Sequence, residues 1–154
     1  MKLTGRVLLF SDVGRVLLVG SRNPRPGGPT VWVAPGGSAE HGETAREAAS
    51  RELLEEVGVR VAPEQLAGPV GTSVATDGRF IEYFVLPLED GFIPTAYNPD
   101  VAERDVWVGF HWWTADELEQ TTDVVWPVEL PNVLRERDAL LLRARPWVFD
   151  WKPG

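Results

Sequence analysis

The chain has 154 residues, with 15 Lys+Arg against 23 Asp+Glu and a formal net charge of −8. Hydrophobic residues at 44% and charged residues at 25% give a globular balance, with enough length to bury one core. No cysteine is present, which excludes a disulfide framework, a thiolate zinc site, an iron–sulfur cluster and a cysteine nucleophile, and the acidic balance argues against a protein that coats nucleic acid phosphates.

The N-terminal run from Leu3 to Phe10 is short and is bracketed by Arg6 and Asp12, unlike a signal peptide. No stretch approaches the roughly 18–20 apolar residues that span a bilayer. The expectation is a soluble, cytoplasmic protein with no membrane contact. Leu3 to Phe10 and Arg15 to Val19 read as two strands around a turn at Asp12 and Gly14. Ser21 to Thr30, with three prolines and two glycines, reads as a loop. Val31 to Val33 is a short strand, and Pro35-Gly36-Gly37 breaks the chain sharply. Thr44 to Val57 is rich in Ala, Glu, Arg and Leu and predicts a helix ended by Gly58. Strands follow at about Val70 to Ala75, Phe80 to Leu88 and Val106 to Trp113. Thr114 and Glu117 form a capping-box pattern that opens a short helix. Pro131 to Arg143 predicts an amphipathic helix that buries Val133, Leu134, Leu140, Leu141 and Leu142. The tail carries Trp147, Phe149 and Trp151 and is expected to pack down. Residues 1–154 therefore read as one mixed α/β domain with mostly hairpin-connected strands.

The chemistry concentrates between Gly36 and Val59. Glu52, Glu55 and Glu56 lie at i, i+3 and i+4, which share one helical face. Three like charges placed together repel, and a cation offsets that cost. Clustered hard oxygen ligands favour Mg²⁺, Mn²⁺ or Ca²⁺ over zinc or copper. Ala45, Ala48 and Ala49 leave room beside the carboxylates, or simply let the helix pack closely on a sheet. Arg51 and Glu43 bracket the cluster, and an Arg can orient a carboxylate by a two-pronged hydrogen bond. Gly36 and Gly37 permit close backbone approach just before the helix.

This segment resembles the Nudix box, G-x5-E-x7-R-E-U-x-E-E-x-G-U with U aliphatic. Gly37, Glu43, Arg51, Glu52, Leu53, Glu55, Glu56, Gly58 and Val59 match every fixed position. Such a match arises by chance on the order of once in a billion windows. The box covers Gly37 to Val59, and the strand and helix order suits the family's α/β/α sandwich with a mixed β-sheet. The resemblance implies hydrolysis of a nucleoside diphosphate linked to another group, with Mg²⁺ or Mn²⁺. It implies Glu52, Glu55 and Glu56 as metal carboxylates, with the Gly36 carbonyl as a further ligand. Glu52 is then also a candidate base, oriented by Arg51, while Gly37, Glu43 and Gly58 support the motif. Glu103 is a second candidate base or ligand, against a solvated loop charge.

Weaker candidates carry a bland alternative each. Arg22 and Arg25 sit where they could grip phosphate, or they are solvated; Arg22 directly follows a strand. Trp32 and Trp126 could stack on a base, or they are core. Glu82 points at the site or at the surface. His41 and His111 read as a surface and a structural residue. The markers of the ADP-ribose, diadenosine-polyphosphate, coenzyme A and NADH types are absent or out of place. Elimination leaves a nucleoside triphosphate, oxidised or not, as the leading substrate. The rivals are an ADP-ribose or dinucleotide pyrophosphatase, a nucleotide-sensing module without turnover, and an RNA-end processor, which the charge disfavours. The partner is thus a small nucleotide rather than a nucleic acid polymer, and exposed tryptophan surface would suit a homodimer.

Overall fold

The computed structural model describes residues 2–22, 27–95, 107–142 and 145–150. In chain order the elements are β1 (Leu3–Phe10), β2 (Arg15–Arg22), β3 (Thr30–Val33), β4 (Gly36–Ser38), α1 (Ala45–Val57), β5 (Ala67–Val74), β6 (Phe80–Pro87), β7 (Trp107–Thr114), α2 (Ala115–Gln120), β8 (Val124–Trp126), α3 (Leu130–Arg135) and β9 (Trp147–Phe149). The strands form one mixed sheet in the order β8-β3-β2-β1-β6-β5-β9, with β4 branching from β1 and β7 from β2.

β1 organises the sheet. Along its whole length it runs parallel to β6, from Leu3 opposite Phe80 to Phe10 opposite Pro87. Its other edge changes partner midway. Thr4, Gly5 and Arg6 pair with β4, whereas Leu9 and Phe10 pair with β2. A central strand covered on both faces reads as a continuous apolar run, as Val7 to Phe10 does.

Helices cover both faces, giving the α/β/α sandwich. On one side α1 lays Ala45, Ala49, Leu53 and Val57 against Val7, Leu9, Leu17 and Phe84. On the other, Leu118 of α2 and Val133 and Leu134 of α3 join Leu8, Leu18, Trp32, Tyr83 and Val85. The approach of α1 is unusually close, because a Cβ at Gly5 would stand 1.9 Å from the Ala45 carbonyl oxygen. Only glycine fits there.

Several expectations need correction. Gly36–Ser38 is a strand rather than a plain break, because it takes its hydrogen-bond partners from β1. β2 continues through Arg22, so the loop is shorter than its composition suggested. β8 was not expected, and it runs parallel to β3. The helix over Pro131 to Arg143 is split into α3 and a 3-10 stretch at Arg137–Leu142. Leu142 is 84% exposed, while Leu140 is buried. On a helix these two positions lie about 200° apart, so one face does not bury both. The tail does pack down as β9, although Trp151 lies outside the described residues. No helix among the described residues is long and apolar enough to cross a membrane.

Candidate active site

Local chemistry fixes both ends of α1. At its N-terminus the Thr44 side chain accepts from the Glu47 amide at 3.1 Å, and Glu47 returns the bond to the Thr44 amide at 3.0 Å. This reciprocal cap satisfies two amides that the helix leaves open. At the C-terminus Gly58 takes the left-handed conformation at φ +81°, and its amide donates to the Leu54 carbonyl. A Cβ there would also meet the Thr95 carbonyl oxygen at 2.4 Å.

With the apolar side of α1 on the sheet, Glu52, Glu55 and Glu56 lie half-buried along one flank. The Glu52 carboxylate lies directly against the backbone of Gly37. A Cβ at Gly37 would come within 2.6 Å of Glu52 Cδ and Oε1. Gly36 is equally crowded, since its Cβ would stand 2.1 Å from the Gly5 carbonyl oxygen. The two glycines thus let β1, β4 and the Glu52 side chain converge.

Arg51 ties this corner together. Its Nε and Nη2 donate to Glu43 at 3.0 and 2.9 Å, a two-pronged pair. Nη2 also donates to the Ser38 carbonyl at 3.1 Å, and Nη1 to Glu52 Oε1 at 3.0 Å. Glu55 Oε2 lies 3.5 Å from Nη1. One guanidinium therefore links the loop before the helix, the end of β4 and two carboxylates of the cluster. The Arg51 hydrogen bonds hold the Glu43 carboxyl below the usual carboxylate range. Glu43 and Glu52 in turn push the Arg51 guanidinium upward, so it stays charged.

The hard oxygen donors of Glu52, Glu55 and Glu56 suit Mg²⁺ or Mn²⁺. In the described arrangement Arg51 Nη1 engages Glu52 and Glu55. Among the described residues no three His, Asp or Glu side chains converge on one point.

The remaining candidates divide. Arg22 ends β2 and is exposed, opposite Thr30. Trp32 does not present a stacking face. It is 8% exposed, covers Gly20, packs edge-on against Trp113 and donates Nε1 to Asp123. The structure thus places it in the core. Trp126 is likewise buried. Glu82 lies on β6 opposite Gly5 and lines a groove of about 440 Å³ together with Thr44, Arg46 and Glu47. Arg46 turns to the side of α1 that faces Leu66 and Gly68, donating to both carbonyls, so this groove lies on the flank away from Glu52. His41 and His111 are exposed. Glu103 and Arg25 lie outside the described residues.

One contributor escaped the sequence reading. Arg6 donates Nη1 to the Ala34 carbonyl at 2.8 Å, and the Val7 amide donates to the Pro35 carbonyl at 2.8 Å. Together they pin the approach to Gly36 onto β1. The signal was a charged residue inside an otherwise apolar strand.

A sheet sandwiched by helices, with a carboxylate-rich helix locked to a Gly-Gly strand by one arginine, defines a Nudix-type architecture. The family model of the NUDIX domain matches residues 3–130, and the chain belongs to that family. The chain is 43% identical over 60 residues to the dihydroneopterin triphosphate diphosphatase of Escherichia coli, covering 39% of this chain and 37% of that protein. It is 40% identical over 65 residues to the putative 8-oxo-dGTP diphosphatase 2 of Mycobacterium tuberculosis, covering 42% and 46%. The matched stretches span less than half the length of either relative. The solution structure of the E. coli ORF135 protein superposes with a TM-score of 0.59 at 23% identity, covering 95% of this chain and 94% of that one. That likeness concerns the fold.

Proposed function

We propose that the chain is a Mg²⁺- or Mn²⁺-dependent pyrophosphohydrolase whose substrate is a nucleoside triphosphate, oxidised or not. The carrying observation is the Arg51 assembly, which holds Glu52 against Gly37 and gathers Glu43 and Glu55 around one guanidinium. The names of the two relatives, each a diphosphatase of a triphosphate, support the choice of substrate class. Residues 1–154 are read as a single such domain.

On this reading Glu52, Glu55 and Glu56 hold the cation, with the Gly36 carbonyl beside them. The cation neutralises phosphate charge and polarises the phosphoryl oxygens when bound. Glu55, which Arg51 engages in the described arrangement, turns toward it. Glu52 takes the proton from the attacking water as the water oxygen bonds to phosphorus and the anhydride P–O bond breaks. Glu103 is the alternative base. Arg51 holds the Glu52 carboxylate aimed through the Nη1 hydrogen bond, so little reorganisation is needed during the reaction. Arg22, at the open end of β2, contacts the phosphate chain.

Turnover on a panel tests the proposal. The panel holds canonical and oxidised dNTPs, NTPs, dihydroneopterin triphosphate, ADP-ribose, NADH and dinucleoside polyphosphates, each with and without Mg²⁺ and Mn²⁺. Cation-dependent cleavage of triphosphates, lost in Glu52→Gln, is the expected result. Cleavage of ADP-ribose or a dinucleotide instead would move the substrate class. Calorimetric binding of a nucleotide without any turnover would replace the hydrolase with a sensor.

A further inference from the structure

β4 stands between an anion on one face and a cation on the other. Gly5 and Gly37 are register partners, and Gly5 abuts Ala45, so this pair faces α1. Glu52 lies against Gly37 on that face. Arg6 and Gly36 are the next pair, and successive residues of a strand face opposite ways. Arg6 therefore backs Gly36 on the far face. A Cβ at Gly36 would stand 2.7 Å from Arg6 Cα and 2.8 Å from Arg6 Cγ. Gly36 has a φ of +155° and no side chain of its own to fix it, so its position comes from what packs on it.

The ladder between β1 and β4 sets where the Gly36 carbonyl points. The Val7 amide donates to the Pro35 carbonyl, and the Ala39 amide donates to the Leu3 carbonyl. Opposed residues of an antiparallel pair alternate between bonded and non-bonded. Gly5 and Gly37 are thus the bonded pair between those two, and Gly36 and Ser38 turn their carbonyls away from β1. β4 pairs with no other strand. On this outer edge Arg51 Nη2 donates to the Ser38 carbonyl at 3.1 Å. The Gly36 carbonyl stands two residues along the same edge, about 7 Å away at strand rise. It is directed along the edge that meets the Arg51 and Glu52 corner.

Three ties hold this approach in place: the β1 register, the Val7–Pro35 hydrogen bond, and the bond from Arg6 Nη1 to the Ala34 carbonyl at 2.8 Å. The first two use only backbone and are open to any residue at position 6. The third belongs to the arginine side chain. Its donor goes to a backbone carbonyl rather than to a carboxylate, two residues before Gly36.

We infer that Arg6 is a positioning residue: by tying Ala34 and backing Gly36 it aims the Gly36 carbonyl at the cation that Glu52, Glu55 and Glu56 hold, and so sets the affinity for that cation. The inference rests on the cation reading above, and its test reads cation binding without substrate.

The full chain and Arg6→Met are titrated with Mn²⁺ alone, and free Mn²⁺ is read by electron paramagnetic resonance. The Kd is expected to rise about 10-fold in the variant, as it does when the support of a ligand is removed. A Kd unchanged or tightened overturns the inference. Turnover of the best panel nucleotide then separates positioning from a general loss. The Mn²⁺ needed for half-maximal rate should rise in parallel, while kcat at saturating cation and the nucleotide KM stay within about 3-fold of the parent. A kcat that falls at saturating cation with the Mn²⁺ Kd intact overturns it too. Hydrogen exchange gives a readout free of both ligands. The Val7 amide should exchange faster in Arg6→Met while the amides of Ala49 to Leu53 stay protected. Exchange that quickens along α1 as well shows a general loosening and overturns the inference. Where Arg6→Met does not fold, Arg6→Gln takes its place, because its amide ends two atoms short of the guanidinium Nη1. A parent chain that binds no Mn²⁺ sinks the cation reading and this inference with it. Equal binding by parent and variant sinks this inference alone.

Discussion

The two faces of the sheet are built on opposite principles. On the α1 face, small residues bring backbones together. Gly5 meets Ala45 so closely that no side chain fits, and Gly37 gives its space to the Glu52 carboxylate. On the other face large rings fill the gap. Trp32, Trp113, Tyr83 and Phe149 meet edge-on, and polar atoms are trapped among them. The first face sets positions by contact between backbones, which do not adjust. The second sets them through side chains, which do. Precision therefore belongs to the carboxylate flank, and adaptability to the opposite face.

Substitutions sharpen this contrast, and the largest effect falls on chemistry. Glu52→Gln keeps shape and volume but removes the proposed base, so kcat is expected to fall about 10²–10⁴-fold with the thermal transition unchanged. A kcat near that of the parent would transfer the role of base to Glu103. Next comes Gly5→Ala. The added methyl strikes backbone, α1 must shift, and stability is expected to drop by about 1–3 kcal/mol in denaturant titration. Gly71→Ala is the matching experiment on the other face. There the atoms nearest the methyl all belong to the Phe149 ring, so β9 gives way and the loss is expected to be smaller. Equal losses at the two glycines would break the comparison.

Thr44→Ala removes one partner of the helix cap, with an expected cost of about 1 kcal/mol and little change in kcat. The smallest effect is a pH dependence. Arg51 lowers the Glu43 pKa in the folded protein. The stability this pair contributes is complete above the ordinary Glu value of about 4.3, and it is lost as pH falls through the lowered value. Stability should therefore rise with pH across that acidic window. Glu43→Gln should flatten that part of the stability–pH curve, and an unchanged slope would assign it to other carboxylates.

The same contrast explains what the sequence made legible. α1 was readable because its determinants are local. Its capping pair, its alanines, its carboxylate spacing and its terminal glycine all lie within one segment. The carboxylate flank followed from helical spacing, and the role of Arg51 from the resemblance. β4 was not readable, because Gly36-Gly37-Ser38 has no strand propensity and pairs only where β1 offers its edge. The break between α3 and Arg137 was hidden because Leu140 to Leu142 suggests burial without specifying a face. Trp32 carried the same ambiguity, since a tryptophan that stacks on a ligand and one that stacks on Trp113 look alike in sequence. The alignment on the far face was invisible. Thr4, Ile81, Ser73 and Phe149 come from four separated segments and line up only through strand register.

β1 carries a consequence for how such a chain diversifies. Its edges are taken by β6, β4 and β2, and its Gly5 is clamped under α1. The carboxylate machinery is therefore referenced to the middle of the sheet. Arg22, by contrast, stands at the end of a strand, and the β9 segment hangs on an outer edge. Substitutions at this periphery have room to change without moving Glu52. Variation at the edge is thereby uncoupled from the carboxylate flank, while Gly5 of β1 has room for no larger residue.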